Sequence, residues 1–174
     1  MRVLAPLALL AVIGGCVAPP PSAPPPPRPV AAPQPAPLPA PPPATSDWRD
    51  LAYSPGTWTY RRDPRGSIAL FGPLGADATL TLRCDLAARQ VFLSRAGTNA
   101  TPLTIRTSST ARSLPVQPVG GAFPYVAVAL APSDPLLEAM GFSRGRFVID
   151  QPGQPPLVVP AWAEIGRVAE DCRS

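Results

Sequence analysis

Thr79-Leu80-Thr81-Leu82-Arg83-Cys84 is the stretch that decides the fold class. Side chains of an extended chain point alternately to its two faces. Leu80, Leu82 and Cys84 therefore share one side while Thr79, Thr81 and Arg83 share the other, the pattern of a half-buried antiparallel strand. Shortly downstream, Val91 and Leu93 offer a matching apolar face, and the polar residues 85–89 between the two segments read as a turn.

Working outward from this pair, alternation predicts strands at 57–61, 67–71, 78–84, 90–95 and 103–107. They are separated by Asp63-Pro64-Arg65-Gly66, Gly72-Pro73-Leu74-Gly75 and Gly97-Thr98-Asn99, and the expectation is a meander of hairpins. A second group of strands is predicted at 125–130, 146–150 and 157–159. Asp134-Pro135 supplies a helix N-cap followed by proline at the first helical position, with Leu136, Leu137 and Met140 on one face until Gly141. A second helix is predicted over 163–171, where Ile165, Val168 and Cys172 form a stripe at i, i+3 and i+7. The predicted fold class is mostly β, a small β-sandwich or barrel-like antiparallel domain with two short helices.

The preceding chain is of another kind. Fifteen of the 29 prolines fall between Pro19 and Pro43, a stretch too poor in large apolar residues to build a core. The folding unit is accordingly expected at 46–174, after a disordered proline-rich stalk. Polyproline II, at about 3.1 Å per residue, would let residues 17–45 reach on the order of 80–90 Å as a spacer. Pro-x-x-Pro spacing also admits a ligand for a proline-binding domain, although this composition creates that spacing automatically.

Met1-Arg2 and the apolar run that ends at Ile13 have the proportions of a secretory signal and are too short to span a bilayer as a helix. The run closes in Ile13-Gly14-Gly15-Cys16, which resembles the lipobox of bacterial lipoproteins. The resemblance implies that residues 1–15 are a signal peptide cleaved before Cys16, and that residues 16–45 are a lipidated N-terminus and proline-rich linker. It also implies an anchor in the membrane through lipid on Cys16. Several acyl chains make such attachment stable, whereas one alone is marginal. Val17 stands where an aspartate often marks inner-membrane retention, which implies the outer membrane, facing the periplasm, as destination. With Cys16 assigned to lipid, Cys84 and Cys172 remain, and an exported protein in an oxidising compartment is expected to pair them as a disulfide.

A second resemblance rests on the tail. A helix after Asp134 is followed by the basic turn Ser143-Arg144-Gly145-Arg146, the strand Phe147-Val148-Ile149-Asp150, a hairpin at Pro152-Gly153-Gln154, the strand Leu157-Val158-Val159, and a helix ending at Cys172. This order resembles the end of the periplasmic β-domains related to the invasion-associated locus B proteins of alphaproteobacteria. It covers about a quarter of the chain and lacks the extra cysteines of that family. It implies a β-sandwich without known enzymatic residues.

The composition narrows the chemistry. There is no histidine, and all 15 basic residues are arginine. Ser-His-Asp, Cys-His, Ser-Lys and Schiff-base mechanisms are therefore excluded, as are the usual zinc ligand sets. No catalytic, metal or cofactor site is expected. The arginines are scattered rather than massed in a stripe with aromatics, which argues against nucleic acid. Carboxylate chemistry remains, but Asp77, Asp85, Asp150, Glu164, Glu170 and Asp171 read as turn formers, caps and solvated helix faces. Trp48, Trp58 and Trp162 could form an aromatic platform, with Trp58 read as core.

The expected function is a non-catalytic binding or structural role in the envelope, with the membrane as one partner through the lipid and an envelope protein or peptidoglycan as the other. Two alternatives stand beside it. A carboxylate-dependent glycan-acting enzyme would need two converging carboxylates, one with a raised pKa. An inhibitor of a periplasmic hydrolase would present a protruding loop at 113–123, where Pro115, Pro118, Gly120 and Gly121 lie. The lipid anchor is tested directly: Cys16→Ala is expected to move the protein from the membrane fraction to the soluble fraction of a cell extract, and an unchanged distribution counts against the lipobox reading.

Overall fold

The computed structural model describes residues 47–174. The signal peptide, Cys16 and the proline-rich linker expected over 1–45 lie outside the described residues. Two antiparallel sheets and two helices make up the domain. One sheet has six strands in the order β1 (Thr57–Asp63), β2 (Gly66–Gly72), β3 (Leu80–Asp85), β4 (Gln90–Ala96), β8 (Tyr125–Leu130) and β7 (Gln117–Val119). The other has four, in the order β10 (Gln154–Pro160), β9 (Arg146–Gln151), β5 (Leu103–Arg106) and β6 (Ala111–Leu114). Helix α1 spans Pro135–Gly141 and α2 spans Ala163–Arg173. Among the described residues no helix is long and apolar enough to cross a membrane.

Register explains which residues became core. Leu82 lies opposite Leu93 and Ala69, and Cys84 opposite Val91 and Ser67, as the alternation around Leu80 requires. Followed across the six-stranded sheet, three rows share its inner face. They are Trp58, Phe71, Leu80, Arg95 and Val126, then Tyr60, Ala69, Leu82, Leu93 and Val128, and last Arg62, Ser67, Cys84, Val91 and Leu130. Gly66 is required where the β1–β2 hairpin closes. Its φ is +139°, and a Cβ there would stand 2.8 Å from the Cys84 carbonyl oxygen.

Two covers lie over this face. The four-stranded sheet turns Phe147, Ile149, Leu157, Val159, Leu103 and Ile105 into the same core. Its attachment to the first row is polar as well as apolar. Arg95, only 5% exposed, donates to the carbonyls of Ile149 at 3.0 Å and Pro155 at 2.6 Å. Trp58 Nε1 donates to the Pro160 carbonyl at 2.9 Å. Pro155 and Pro156 have no N–H to give to the ladder, and β10 shifts register between Gln154 and Leu157. Arg95 thus satisfies a carbonyl that the bulge sets free. Burial pushes its pKa down, with Asp150 opposing, yet a guanidinium starts so high that it remains charged.

Helix α2 packs on β1 through β4, burying Ile165, Val168, Ala169 and Cys172. Cys172 and Cys84 are at disulfide distance, with Cα atoms 5.3 Å apart and a sequence separation of 88. Tyr60 donates to one oxygen of Asp171 and Arg62 to the other, the latter at 2.6 Å, which fixes the last turn of the helix beside the third row.

The structure departs from the sequence-based expectation in its pairing. Only β1 to β4 form a meander. The strand predicted at 103–107 leaves for the second sheet, while 125–130 returns to pair with β4. Strands β6 and β7 were not predicted. They fall inside or beside the 113–123 stretch expected as a loop, are polar or proline-bearing, and show no alternation that reveals a buried face. Pairing partners supplied by β5 and β8 make them strands.

Closing a loop of this length should restrict the unfolded chain strongly. Cys84→Ala combined with Cys172→Ala is expected to destabilise the domain by about 4–5 kcal/mol, a figure from the chain-entropy relation. Urea denaturation with and without reductant measures it. A difference below about 1 kcal/mol would remove the disulfide from the account of stability.

Candidate functional site

Helix α1 starts at Asp134 because that side chain does two things. It accepts from the Leu136 N–H at 2.8 Å as N-cap, and it takes a bidentate pair from Arg112 at 2.9 and 2.8 Å. Pro135 follows at the first helical position, where a missing N–H costs nothing. The helix buries Leu136, Leu137 and Met140 and packs on α2, the helix that the Cys84–Cys172 pair and Asp171 hold to the large sheet. Both helices are therefore pinned by an aspartate to an arginine on a strand.

Between them lies a groove of about 500 Å³. Leu137, Gly141, Phe142, Trp162, Gly166 and Ala169 form its apolar lining. Two glutamates, Glu138 and Glu170, and two arginines, Arg167 and Arg173, stand along it and cancel in formal charge. The arginines are engaged already: Arg167 lies over the Tyr60 ring at 4.9 Å, and Arg173 Nε donates to the Pro132 carbonyl at 2.9 Å. Phe142 is 80% exposed and Trp162 is 47% exposed. Two aromatic rings left in water on one concave, charge-balanced surface are a feature that packing does not explain.

The residues singled out from sequence are dispersed. Trp58 is core, as read from its strand, whereas Trp48 lies under Arg49 at 5.0 Å and Trp162 reaches the groove, so the three tryptophans form no common platform. Asp85 pairs with Arg65 at 2.6 Å, Asp63 with Arg83 at 2.8 Å, and Asp150 stands 3.8 Å from Arg106. Glu170 lines the groove together with Glu138, which the sequence did not single out. Phe142 was missed as well. It follows the glycine that ends α1, and a lone apolar residue in a turn carries no periodicity; exposure at a groove is visible only after the helices are placed. The 113–123 stretch contains the end of β6 and all of β7, with Val119 exposed on the edge strand and Phe123 exposed in the connection that follows it. No group of three His, Cys, Asp or Glu side chains able to hold a metal forms among the described residues.

Several carboxyls are displaced, all in one direction. In Asp134 burial raises the pKa, but the Arg112 bonds and the Leu136 N–H outweigh it and hold the group below its ordinary 3.8. In Asp171 burial again opposes, and the bonds from Tyr60 and Arg62 carry the group below 3.8. Asp63 and Asp85 are lowered chiefly by their bonds to Arg83 and Arg65.

Comparison with protein-family models, with curated proteins and with solved structures finds no match to this chain.

A carboxyl whose folded pKa lies below its unfolded value stabilises fully above the unfolded value, and the contribution disappears as pH falls through the folded one. Asp134 and Asp171 both behave this way, so the domain and its helix pair should weaken as pH drops below about 4. Asp134→Asn keeps an acceptor for Leu136 but loses the charge pair. It is expected to cost about 0.5–1 kcal/mol near pH 7, and to narrow the stability difference between about pH 7 and about pH 3. Urea midpoints measure both, and an unchanged pH difference would show that the Arg112 pair contributes nothing.

Proposed function

We propose that this chain is a membrane-anchored envelope lipoprotein whose folded domain is a non-catalytic binding module, with the groove between α1 and α2 as its binding surface. The observation that carries the reading is the exposure of Phe142 and Trp162 on that groove. Burying two large rings is among the strongest single contributions to association, and such rings cluster where partners bind. The balanced charges along the groove suit a neutral, apolar ligand better than nucleic acid or an acidic surface. Residues 1–45 support the remainder: the leader and Cys16 supply the anchor, and the proline-rich linker sets the distance from the membrane at which the groove is held. The alternatives draw less support. The displaced aspartates are committed to arginines and lowered, the reverse of a general acid. Val119 is paired into the edge strand β7, which leaves the short 120–124 connection to β8, with its exposed Phe123, as the stretch an inhibitor would have to present.

A photoreactive residue placed in the groove of the lipidated protein in cells tests the reading. Phe142→benzoylphenylalanine is expected to give an adduct heavier than the protein itself, lost on adding Trp162→Ala. The same probe at Leu74, exposed but outside the groove, is expected to give none. Heavy adducts that are absent at Phe142, or that survive Trp162→Ala unchanged, would overturn it.

A further inference from the structure

A separate cavity lies between the two sheets, where the first row of the large sheet meets β10. It measures about 320 Å³ and shares no residue with the α1–α2 groove. Pro55, Pro73, Pro155, Pro156 and Leu157 make its walls largely apolar. Three side chains bring polarity to it: Arg95 from β4, Gln154 from the start of β10, and Ser54 from the segment before β1. An apolar cavity of this size with a few polar groups facing it has the usual make-up of a small-molecule site. Ser54 is fixed against β10, its N–H donating to the Val158 carbonyl and its Oγ accepting from the Val158 N–H, both at 2.9 Å. The Gln154 amide takes the space that Gly97 leaves open, since a Cβ there would stand 2.5 Å from Nε2.

Arg95 is the unusual member of this set. It is 5% exposed and gives two of the five N–H groups of a guanidinium to the carbonyls of Ile149 and Pro155. Among the described residues no carboxylate forms an ion pair with it. Burial works against its charge, and Asp150 supplies the one opposing influence. Asp150 follows Ile149 on β9 and so faces the other side of that strand, where Arg106 stands 3.8 Å away. Buried charges are ordinarily matched by another charge. Here the protein supplies carbonyl dipoles and leaves the charge itself unmatched.

We infer that this cavity binds a small carboxylic acid with an apolar body, its carboxylate held by Arg95 and Gln154 and its hydrocarbon laid against the prolines and Leu157. Charge selects the head group. A carboxylate brings one negative charge to one guanidinium, and its two oxygens accept N–H groups that the Ile149 and Pro155 carbonyls do not use. Sulfate or phosphate would bring further charge and oxygens that the apolar walls can neither pair nor hydrate. A neutral apolar guest would fill the space and leave Arg95 as it was. The cavity lies apart from the α1–α2 groove, so this site goes beyond the proposed function and is tested independently of it.

The experiment titrates sodium hexanoate into the purified, isotopically labelled full chain and follows the Nε–Hε resonance of Arg95 by NMR. A saturable shift is expected. Hexanamide, which has the same body without the charge, is expected to bind at least about tenfold more weakly. Butyrate, two methylenes shorter, is expected to bind about fifteenfold more weakly, at about fourfold per methylene. Arg95→Met should abolish binding, but it also removes two bonds between the sheets. Gln154→Glu is therefore the deciding variant: it keeps the side chain's shape, sets a carboxylate beside Arg95, and is expected to weaken hexanoate at least about tenfold with the urea midpoint unchanged. The inference is overturned by the absence of a saturable shift up to about 10 mM hexanoate, by equal binding of hexanamide or of sodium sulfate, or by hexanoate binding that Gln154→Glu leaves intact. Acetyl-alanyl-leucine, whose carboxylate ends a peptide, is expected to bind no more tightly than hexanoate. Tighter binding would replace the free acid with a polypeptide C-terminus as the ligand.

Discussion

The inner face of the six-stranded sheet has to be covered from the Trp58 row to the Arg62 row, and the two ends ask for different covers. At the first row the face is aromatic, aliphatic and, at Arg95, cationic. The four-stranded sheet meets it with apolar side chains and with carbonyls that its own ladder does not use, those of Pro155 and Pro160. At the third row the face carries Ser67, Cys84 and Arg62, and α2 meets it with Cys172, Asp171 and the apolar stripe of Ile165 and Val168. Breaking either attachment would leave buried polar groups without partners, at a cost of roughly 1–3 kcal/mol each. The remaining elements take their positions from these two contacts.

Helix α1 shows how the site follows from that constraint. Beside α2, α1 adds Leu136, Leu137 and Met140 to the same core, and Arg112 on the edge strand β6 grips its N-cap. A short helix held at its N-terminal end and against one neighbour leaves a furrow on the far side. Gly141 and Gly166 on that furrow carry no side chains to fill it, and Phe142 and Trp162, on the turns at its end, are left in water. Leu51 and Tyr53 fasten to Arg146 and Gly145, in the stretch that follows Phe142 in the chain. The groove is thus a by-product of how the helices are anchored, and its chemistry comes from two residues that contribute nothing to the core.

The parts of this arrangement that were legible in the sequence share a cause. Leu80, Leu82, Cys84, Val91 and Leu93 are buried because period two puts them on one face, and Asp134-Pro135 begins a helix because a cap and a fixed φ do so locally. Periodicity and capping act within a few residues, and a sequence displays them. Strands β6 and β7 depend on partners elsewhere in the chain and were not legible. Arg95 occupies an inward position of a strand whose other inward residues are aliphatic; period two places it correctly, but nothing local says that a guanidinium will find two carbonyls there. Glu138 and Phe142 belong to the groove only because α2 is beside them.

By itself the sequence determined that the protein has a mostly β domain closed by two short helices, where most strands begin and end, which faces are apolar, and which two cysteines were available to one another. Tertiary structure alone decided which strand lies beside which, sending 103–106 to the second sheet and 125–130 back to the first. It also decided that a buried arginine and the indole N–H of Trp58 would join the sheets, and that Phe142 and Trp162 would share a groove. The division is physical. Strand formation and helix capping are set by dihedral preference and side-chain alternation among near neighbours, whereas sheet order, inter-sheet hydrogen bonds and the shape of a groove are set by contacts between residues far apart in the chain, whose geometry exists only once the whole face has been covered.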